Sequence, residues 1–197
     1  MTVARLKRPV AAANDRADAL PLSVTHPAIL LDGSDREFRR LIHRMLIGSV
    51  RLSAVRESIA ERIGVSGTQY TMLMSVLHLQ GTDGISIGAL SDYLEVTGPH
   101  VTGIVGTLVK RGLLRKAVNP KDRRGVLVSL SPVGRKRLLQ AFDFISSVND
   151  RLFEGVSREE YRTVANFNAR FMRNTQATLD WIDRQGGGKR SRTAEFE

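Results

Sequence analysis

Between Thr97 and Val128, seven basic side chains (Lys110, Arg111, Arg115, Lys116, Lys121, Arg123 and Arg124) stand against one acid, Asp122. A cation excess this dense suits nucleic-acid phosphates, whose counterions it would displace. Just upstream, Thr97, Gly98, His100, Thr102, Gly103 and Thr107 fall on one side of a segment with helical periodicity. Hydroxyl and imidazole groups can hydrogen-bond base edges, and glycine lets a backbone come close to them. Side by side, the two sets suggest contacts that choose a sequence next to contacts that hold a backbone.

Short elements must position them. Ser86 is a good N-cap for a helix carrying Ile87, Leu90 and Leu94 on one face. Val96-Thr97-Gly98 makes the break. Thr97 then caps a second helix, with Pro99 in its first turn where a missing N–H costs nothing. Val101, Ile104, Val105 and Leu108 follow at i, i+3, i+4 and i+7 as a buried stripe, and Gly112 ends the helix with a left-handed cap. Leu113-Leu114 and Val126–Leu130 read as strands around a tight basic turn, Asn119–Gly125, and Ser131-Pro132 opens another helix. This order predicts a winged helix-turn-helix over 65–131. The fold class is mainly α with a small β-wing (α+β).

The flanks are helical. Ser34-Asp35-Arg36-Glu37 has the form of a capping box before a long helix to about Ile63, with Phe38, Ile42, Met45, Ser49, Leu52 and Ile59 along one side and Gly64 as its stop. A helix from Thr68 to about Leu79 leads toward the winged module. After the wing, a helix to about Phe153 carries Leu138, Phe142, Ile145 and Leu152, and a second box, Ser157–Glu160, starts a helix to about Ile182. Apolar stripes at both ends exceed what the winged module can bury. Segments 34–64 and 132–183 are therefore expected to pair with a second copy, a monomeric helical cap being the alternative. Residues 1–33, with Pro9, Pro21 and Pro27, read as a mobile arm, and the Gly-rich basic stretch 184–197 as a disordered tail.

Composition narrows the class. In 197 residues, 30 Lys and Arg against 20 Asp and Glu give a net charge of +10, which favours nucleic acid over acidic proteins or membranes. The absence of cysteine excludes disulfide scaffolds and a thiolate nucleophile. No apolar run approaches the roughly 20 residues that span a bilayer, and nothing at the N-terminus reads as a signal-peptide core, so a cytoplasmic protein is expected. His26, His43, His78 and His100 are too widely spaced to suggest a metal site. Neither a nucleotide-binding glycine loop nor a hydrolase elbow occurs, so neither an enzyme nor a cofactor is expected.

The helix–turn–helix, then Gly112-Leu113-Leu114-Arg115, Asp122-x-Arg124 and Leu130-Ser131-Pro132-x-Gly134, resemble the MarR family of bacterial transcriptional regulators. The resemblance covers roughly Ser34 to Asp183. It implies a homodimer on double-stranded operator DNA, with the second helix in a major groove and the wing reaching a minor groove. By it, Asp122 orients the wing arginines, and Arg123 or Arg124 inserts. The expected DNA contacts are Thr97, His100, Thr102, Gly103, Lys110, Arg115, Lys121, Asp122, Arg123 and Arg124. Positions 98, 103 and 106, often Arg, Arg and Asp in relatives, are all Gly here. Each interior Gly costs a helix roughly 1 kcal/mol relative to Ala, so sequence choice is expected to lean on Thr97, His100, Thr102 and the wing.

The resemblance further implies a small effector in a crevice lined by the first long helix, the Thr68 helix and the post-wing helix. Polar candidates are His43, Arg44, Arg51, Tyr70 and His78, set among Met45, Met72 and Met74. A cation beside Met and aromatic groups suits an aromatic carboxylate or its coenzyme A thioester. The expected function is a dimeric, nucleoid-associated repressor released from a pseudo-palindromic operator by such a molecule. An effector-independent architectural DNA-binding protein is the alternative, and a protein-binding winged helix a further one. An architectural protein would lack the thousandfold or so preference for one site that a regulator shows.

Overall fold

Residues 21–186 are described by a computed structural model, Lys121 excepted; for residues 122–124 and 186 the backbone alone is described. The arm expected over 1–33 lies outside the described residues up to position 20, as does the expected tail from 187 on. The elements, in chain order, are α1 (Arg36–Ile63), α2 (Gly67–Leu79), β1 (Ile85–Ser86), α3 (Ile87–Leu94), α4 (Gly98–Lys110), β2 (Leu114–Asn119), β3 (Asp122–Leu130), α5 (Pro132–Leu152) and α6 (Arg158–Gly186). The fold is mainly α with a small antiparallel sheet in the order β1-β3-β2. Two compact units divide within α1, after Leu52.

In the first unit, Asp35 anchors the start of α1. Its Oδ2 accepts from Ser23 N at 2.8 Å and Ser23 Oγ at 2.5 Å, and its Oδ1 pairs with Arg39 at 3.0 Å. These Ser23 hydrogen bonds, with Arg39 adding to them, hold the Asp35 carboxyl below its ordinary value. The Ser34–Glu37 box expected here is replaced. Ser34 Oγ accepts from Arg36 N, and the Glu37 carboxylate pairs with Arg40, because the helix starts one residue later than a Ser34 cap requires.

The second unit builds its core from Ile59, Ala60 and Ile63 of α1, Met72, Leu73 and Val76 of α2, Leu90 of α3, Val101, Val105 and Leu108 of α4, and Leu138, Ala141 and Ile145 of α5. The stripe expected for α4 is thus the face that packs, with Ile104 partly buried; in α5 Leu138 and Ile145 pack and Phe142 is partly buried, but Leu152 is exposed. Caps set the helix starts. Ser66 forms a capping box with Gln69, so α2 begins at Gly67 rather than Thr68, and Ser86 and Ser131 accept from Ala89 N and Gly134 N. Ser157 and Glu160 cap reciprocally: Ser157 N donates to Glu160 Oε2 at 2.8 Å, and Glu160 N to Ser157 Oγ at 3.2 Å. Gly64 (φ +75°) and Gly112 (φ +70°) end α1 and α4 in the left-handed region.

Two features of the wing differ from expectation. β1 is a strand of two residues whose Ile85 and Ser86 pair with Val128 and Leu127, a third strand that so short a run does not announce. The turn is also shorter than Asn119–Gly125, since strand pairing reaches Asn119 and resumes at Asp122. Val118 pairs with Val126 and Asn119 with Asp122, so Arg123, Arg124 and Gly125 oppose no residue of β2. The two arginines therefore sit in a bulged segment of strand, not in a loop.

α5 starts under a tight steric limit. A Cβ at Gly134 would lie 2.1 Å from the carbonyl oxygen of Leu113, whereas one at Gly103 would meet nothing within 4 Å. Gly134→Ala should cost about 1–3 kcal/mol through overpacking, and Gly103→Ala should gain up to about 1 kcal/mol of helix propensity, both read from urea midpoints. Equal effects of the two substitutions would contradict this account.

The capping box makes a second prediction. Hydrogen bonds from Ser157, side chain first, lower Glu160 below its ordinary value of about 4.5. A carboxylate lowered on folding contributes stability above its unfolded pKa and loses it as pH falls through the folded one. Protection of the amides in the first turn of α6, taken relative to the intrinsic exchange rate at each pH, should be flat from neutrality to about pH 5 and fall at more acid pH. In Glu160→Gln that acid step should be absent.

Candidate nucleic-acid interface

The face of α4 expected to read DNA is exposed. In α4, Val101, Val105 and Leu108 are fully buried, while Thr97, His100, Thr102, Gly103 and Thr107 are exposed. Thr97 stands at the N-cap position with extended backbone but makes no side-chain capping bond, contrary to the expectation that it caps the helix. Its position before Gly98-Pro99 starts the helix without it, since Pro99 needs no N–H partner.

The threonines are more specialised than a bare hydroxyl suggests. Thr102 Oγ1 donates to Gly98 O at 2.9 Å, and Thr107 Oγ1 donates to Gly103 O at 3.1 Å. With their protons committed to the helix, these oxygens present lone pairs and methyl groups outward. They can accept from the amino groups of adenine or cytosine or touch a thymine methyl.

The basic residues separate into roles. Lys110 and Lys116 are exposed. Arg115 is exposed too, and its Nε donates across the hairpin to Ser129 Oγ at 2.8 Å. Arg111 donates to Gln69 Oε1 at 2.7 Å and to the carbonyl of Gly64, tying the end of α4 to the α1–α2 turn. These bonds position α4 against that turn. Lys121 lies outside the described residues, and Asp122, Arg123 and Arg124 are placed by backbone register alone.

Of the effector candidates, His43, Arg44 and Arg51 are exposed on α1 within the first unit. In the second unit, Tyr70 is buried in the core, with burial raising its hydroxyl pKa against the opposing effect of Arg56. His78 is exposed, 6.3 Å from the Tyr93 ring between centroids. The structure does not bring Tyr70 and His78 together around a cavity. A cleft of roughly 670 Å³ opens instead between the end of α1, α2, the α3–α4 turn and Met172 of α6. Met72, Tyr93 and Ile104 supply apolar wall, and Arg56, Glu57, Glu95 and His100 supply polar groups. The post-wing helix α5, expected as a wall, contributes none of it. Its size suits a small ligand. Periodicity placed Met72 on a helix but gave no sign that Tyr93 or Arg56 would face it.

A helix-turn-helix followed by a hairpin wing, with an exposed hydroxyl-bearing second helix and a cationic flank, is the architecture of a winged helix. Residues 63–125 match the model of the MarR family. Over 107 residues the chain is 23% identical to an uncharacterized HTH-type transcriptional regulator, YdcH of Bacillus subtilis, covering 54% of this chain and 72% of that protein. It is 27% identical over 96 residues to the transcriptional activatory protein BadR of Rhodopseudomonas palustris, covering 49% of this chain and 55% of that protein. In fold it is similar to a cysteine-to-serine mutant of MarR from E. coli solved with operator DNA, at a TM-score of 0.58 and 21% identity, covering 69% of this chain and 94% of that one. Over its winged helix-turn-helix the chain is thus similar to the MarR family of DNA-binding transcriptional regulators.

Thr102→Val keeps the methyl and removes the acceptor. It should leave stability within about 0.5 kcal/mol while changing base preference at one position by roughly 1–3 kcal/mol, measured by competition between duplexes. Arg111→Ala should instead lower the unfolding free energy by about 1 kcal/mol. An unchanged urea melt with weakened DNA binding would make Arg111 a phosphate contact after all.

Proposed function

We propose that the protein acts as a homodimer that reads a pseudo-palindromic operator and is released from it by a small effector. The observation that carries this reading is the exposed face of α4, which holds no packing role and lies beside the cationic hairpin. A second observation supports pairing. α6 leaves Tyr161, Val164, Phe167, Met172, Leu179, Trp181 and Ile182 exposed along its length, and α1 leaves Leu41, Leu46, Val50 and Leu52 exposed. Apolar stripes of this extent are interaction surfaces on a water-exposed protein. Two copies joined through them would present two α4 helices to half-sites about 34 Å apart.

In this reading Thr97, His100, Thr102 and Gly103 meet base edges in the major groove. Lys110, Arg115 and Lys121 meet phosphates, and the bulge of Arg123 and Arg124, with Asp122 beside it, reaches the minor groove. The effector is assigned to the cleft rather than to His43, Arg44, Arg51, Tyr70 or His78. Arg56 beside Met72 and Tyr93 offers the cation and apolar wall that an aromatic carboxylate needs, and the thioester of such an acid would have to extend through the open side. Repression is the proposed output, in the cytoplasm on nucleoid DNA. No helix among the described residues is long and apolar enough to cross a membrane.

Enrichment from a random duplex pool should return one inverted repeat, preferred about a thousandfold or more over random DNA, with sedimentation giving a dimer. Recovery of no preferred sequence would favour an architectural role. Arg124→Ala should weaken binding to all sequences and reduce the slope of log K against log salt by about 1. A change confined to one base position would place Arg124 on a base edge instead.

A further inference from the structure

The cleft and the reading face share a residue. His100 is exposed on α4 three residues after Thr97 and three before Gly103, in the row that faces outward. It also lines the cleft, as does Ile104 one turn later, and Glu95 and Val96 bring in the turn between α3 and α4. Ala54 and Glu57 of α1 and Met72 of α2 also line it. The helix-turn-helix itself therefore forms part of the cleft lining.

The two ends of α4 are held differently. At its C-terminus Arg111 donates to Gln69 and Gly64, and Leu113 N donates to Leu108 O at 2.9 Å in the left-handed cap. At its N-terminus Thr97 makes no side-chain cap, and the preceding Glu95 sits at φ +54°, a region that non-glycine residues rarely occupy. The residues of a recognition helix that touch base edges lie in its N-terminal part. That is the end the cleft borders.

We infer that His100 couples cleft and DNA directly: a molecule seated against His100 and Ile104 takes the imidazole away from the groove within one subunit. Coupling of this kind does not require a change in the distance between two α4 helices. The inference rests on the DNA-reading proposal above and adds the route by which occupancy is felt.

Because the chain has no cysteine, an occupant can be tethered without knowing the natural ligand. Ala54→Cys, labelled with benzyl methanethiosulfonate, places an uncharged aromatic group in the cleft; Ser146→Cys, exposed on α5, carries the same label elsewhere. The DNA probes are the inverted repeat enriched by unlabelled Ala54→Cys protein and one isolated half of it. Labelling at 54 should shift the His100 ring resonances while leaving His26 unmoved. It should also weaken binding to the repeat and to the single half-site alike by about tenfold, an effect absent from the labelled Ser146→Cys protein and from the Ala54→Cys, His100→Ala double variant. Unchanged binding after labelling would overturn the inference. So would weakening confined to the paired repeat with the His100 ring unmoved, which is the signature of altered spacing. If unlabelled protein enriches no sequence, the DNA-reading proposal falls first and this one with it.

Discussion

The carbonyl of Leu113 is the point on which the DNA-reading unit depends. It accepts from Ser131 N at 3.0 Å, while Ser131 Oγ donates to the neighbouring Gly112 carbonyl at 2.6 Å and accepts from Gly134 N at 2.9 Å. Leu113 is fully buried, so its polar backbone needs a partner there. The end of α4, the entry to β2, the exit from β3 and the first turn of α5 all meet at this clasp. The orientation of α4 relative to the hairpin follows from it, so the groove and wing contacts proposed above share one frame. Gly134 is needed because nothing larger lets α5 approach that carbonyl.

A second junction explains why counting charges overstates the number of free cations. Arg111 and Arg115 belong by sequence to the same basic cluster as Lys110 and Lys116, yet both guanidinium groups bond within the fold. Their charge still adds to the field that draws a polyanion, since hydrogen bonding to neutral partners does not remove it. Arg111, with both terminal nitrogens engaged, gives up freedom to follow a phosphate, whereas Arg115 is tethered only through Nε among the bonds described. The distinction between attracting DNA and touching it depends on which side chains the fold has already engaged.

The parts of the structure legible in the sequence are those written locally. Ser86, Ser131 and Ser157 are caps because the residues they serve lie three positions away, and the stripe Val101, Ile104, Val105, Leu108 is a face because a helix makes it one. The parts that were not legible depend on distant partners. β1 exists only through Val128 and Leu127, and the bulge holding Arg123 and Arg124 is a property of register between two strands. The cleft draws its walls from elements between Ser53 and Met172, so no window of sequence contains it. α2 misled for another reason: Met72, Leu73, Met74, Val76 and Leu77 surround most of its circumference, leaving no polar face from which to judge that Tyr70 turns inward and His78 outward.

The glycines of α4 sharpen what kind of reader this is. Gly98, Gly103 and Gly106 have open space where a Cβ would stand, so packing does not demand them, and the interior Gly103 and Gly106 each cost the helix roughly 1 kcal/mol relative to Ala. The burial of Val101, Val105 and Leu108 offsets that cost. Two of the three carbonyls, those of Gly98 and Gly103, take the hydroxyl protons of Thr102 and Thr107. The helix surface is consequently smooth and rich in acceptors, with His100 its one titratable group on that face. A surface of this kind reads amino groups and thymine methyls at close range, and it contributes little to phosphate affinity. In the proposed reading that affinity comes from Lys110 at the end of α4 and from the hairpin, so the labour is divided between the start of the helix and the region around Leu113.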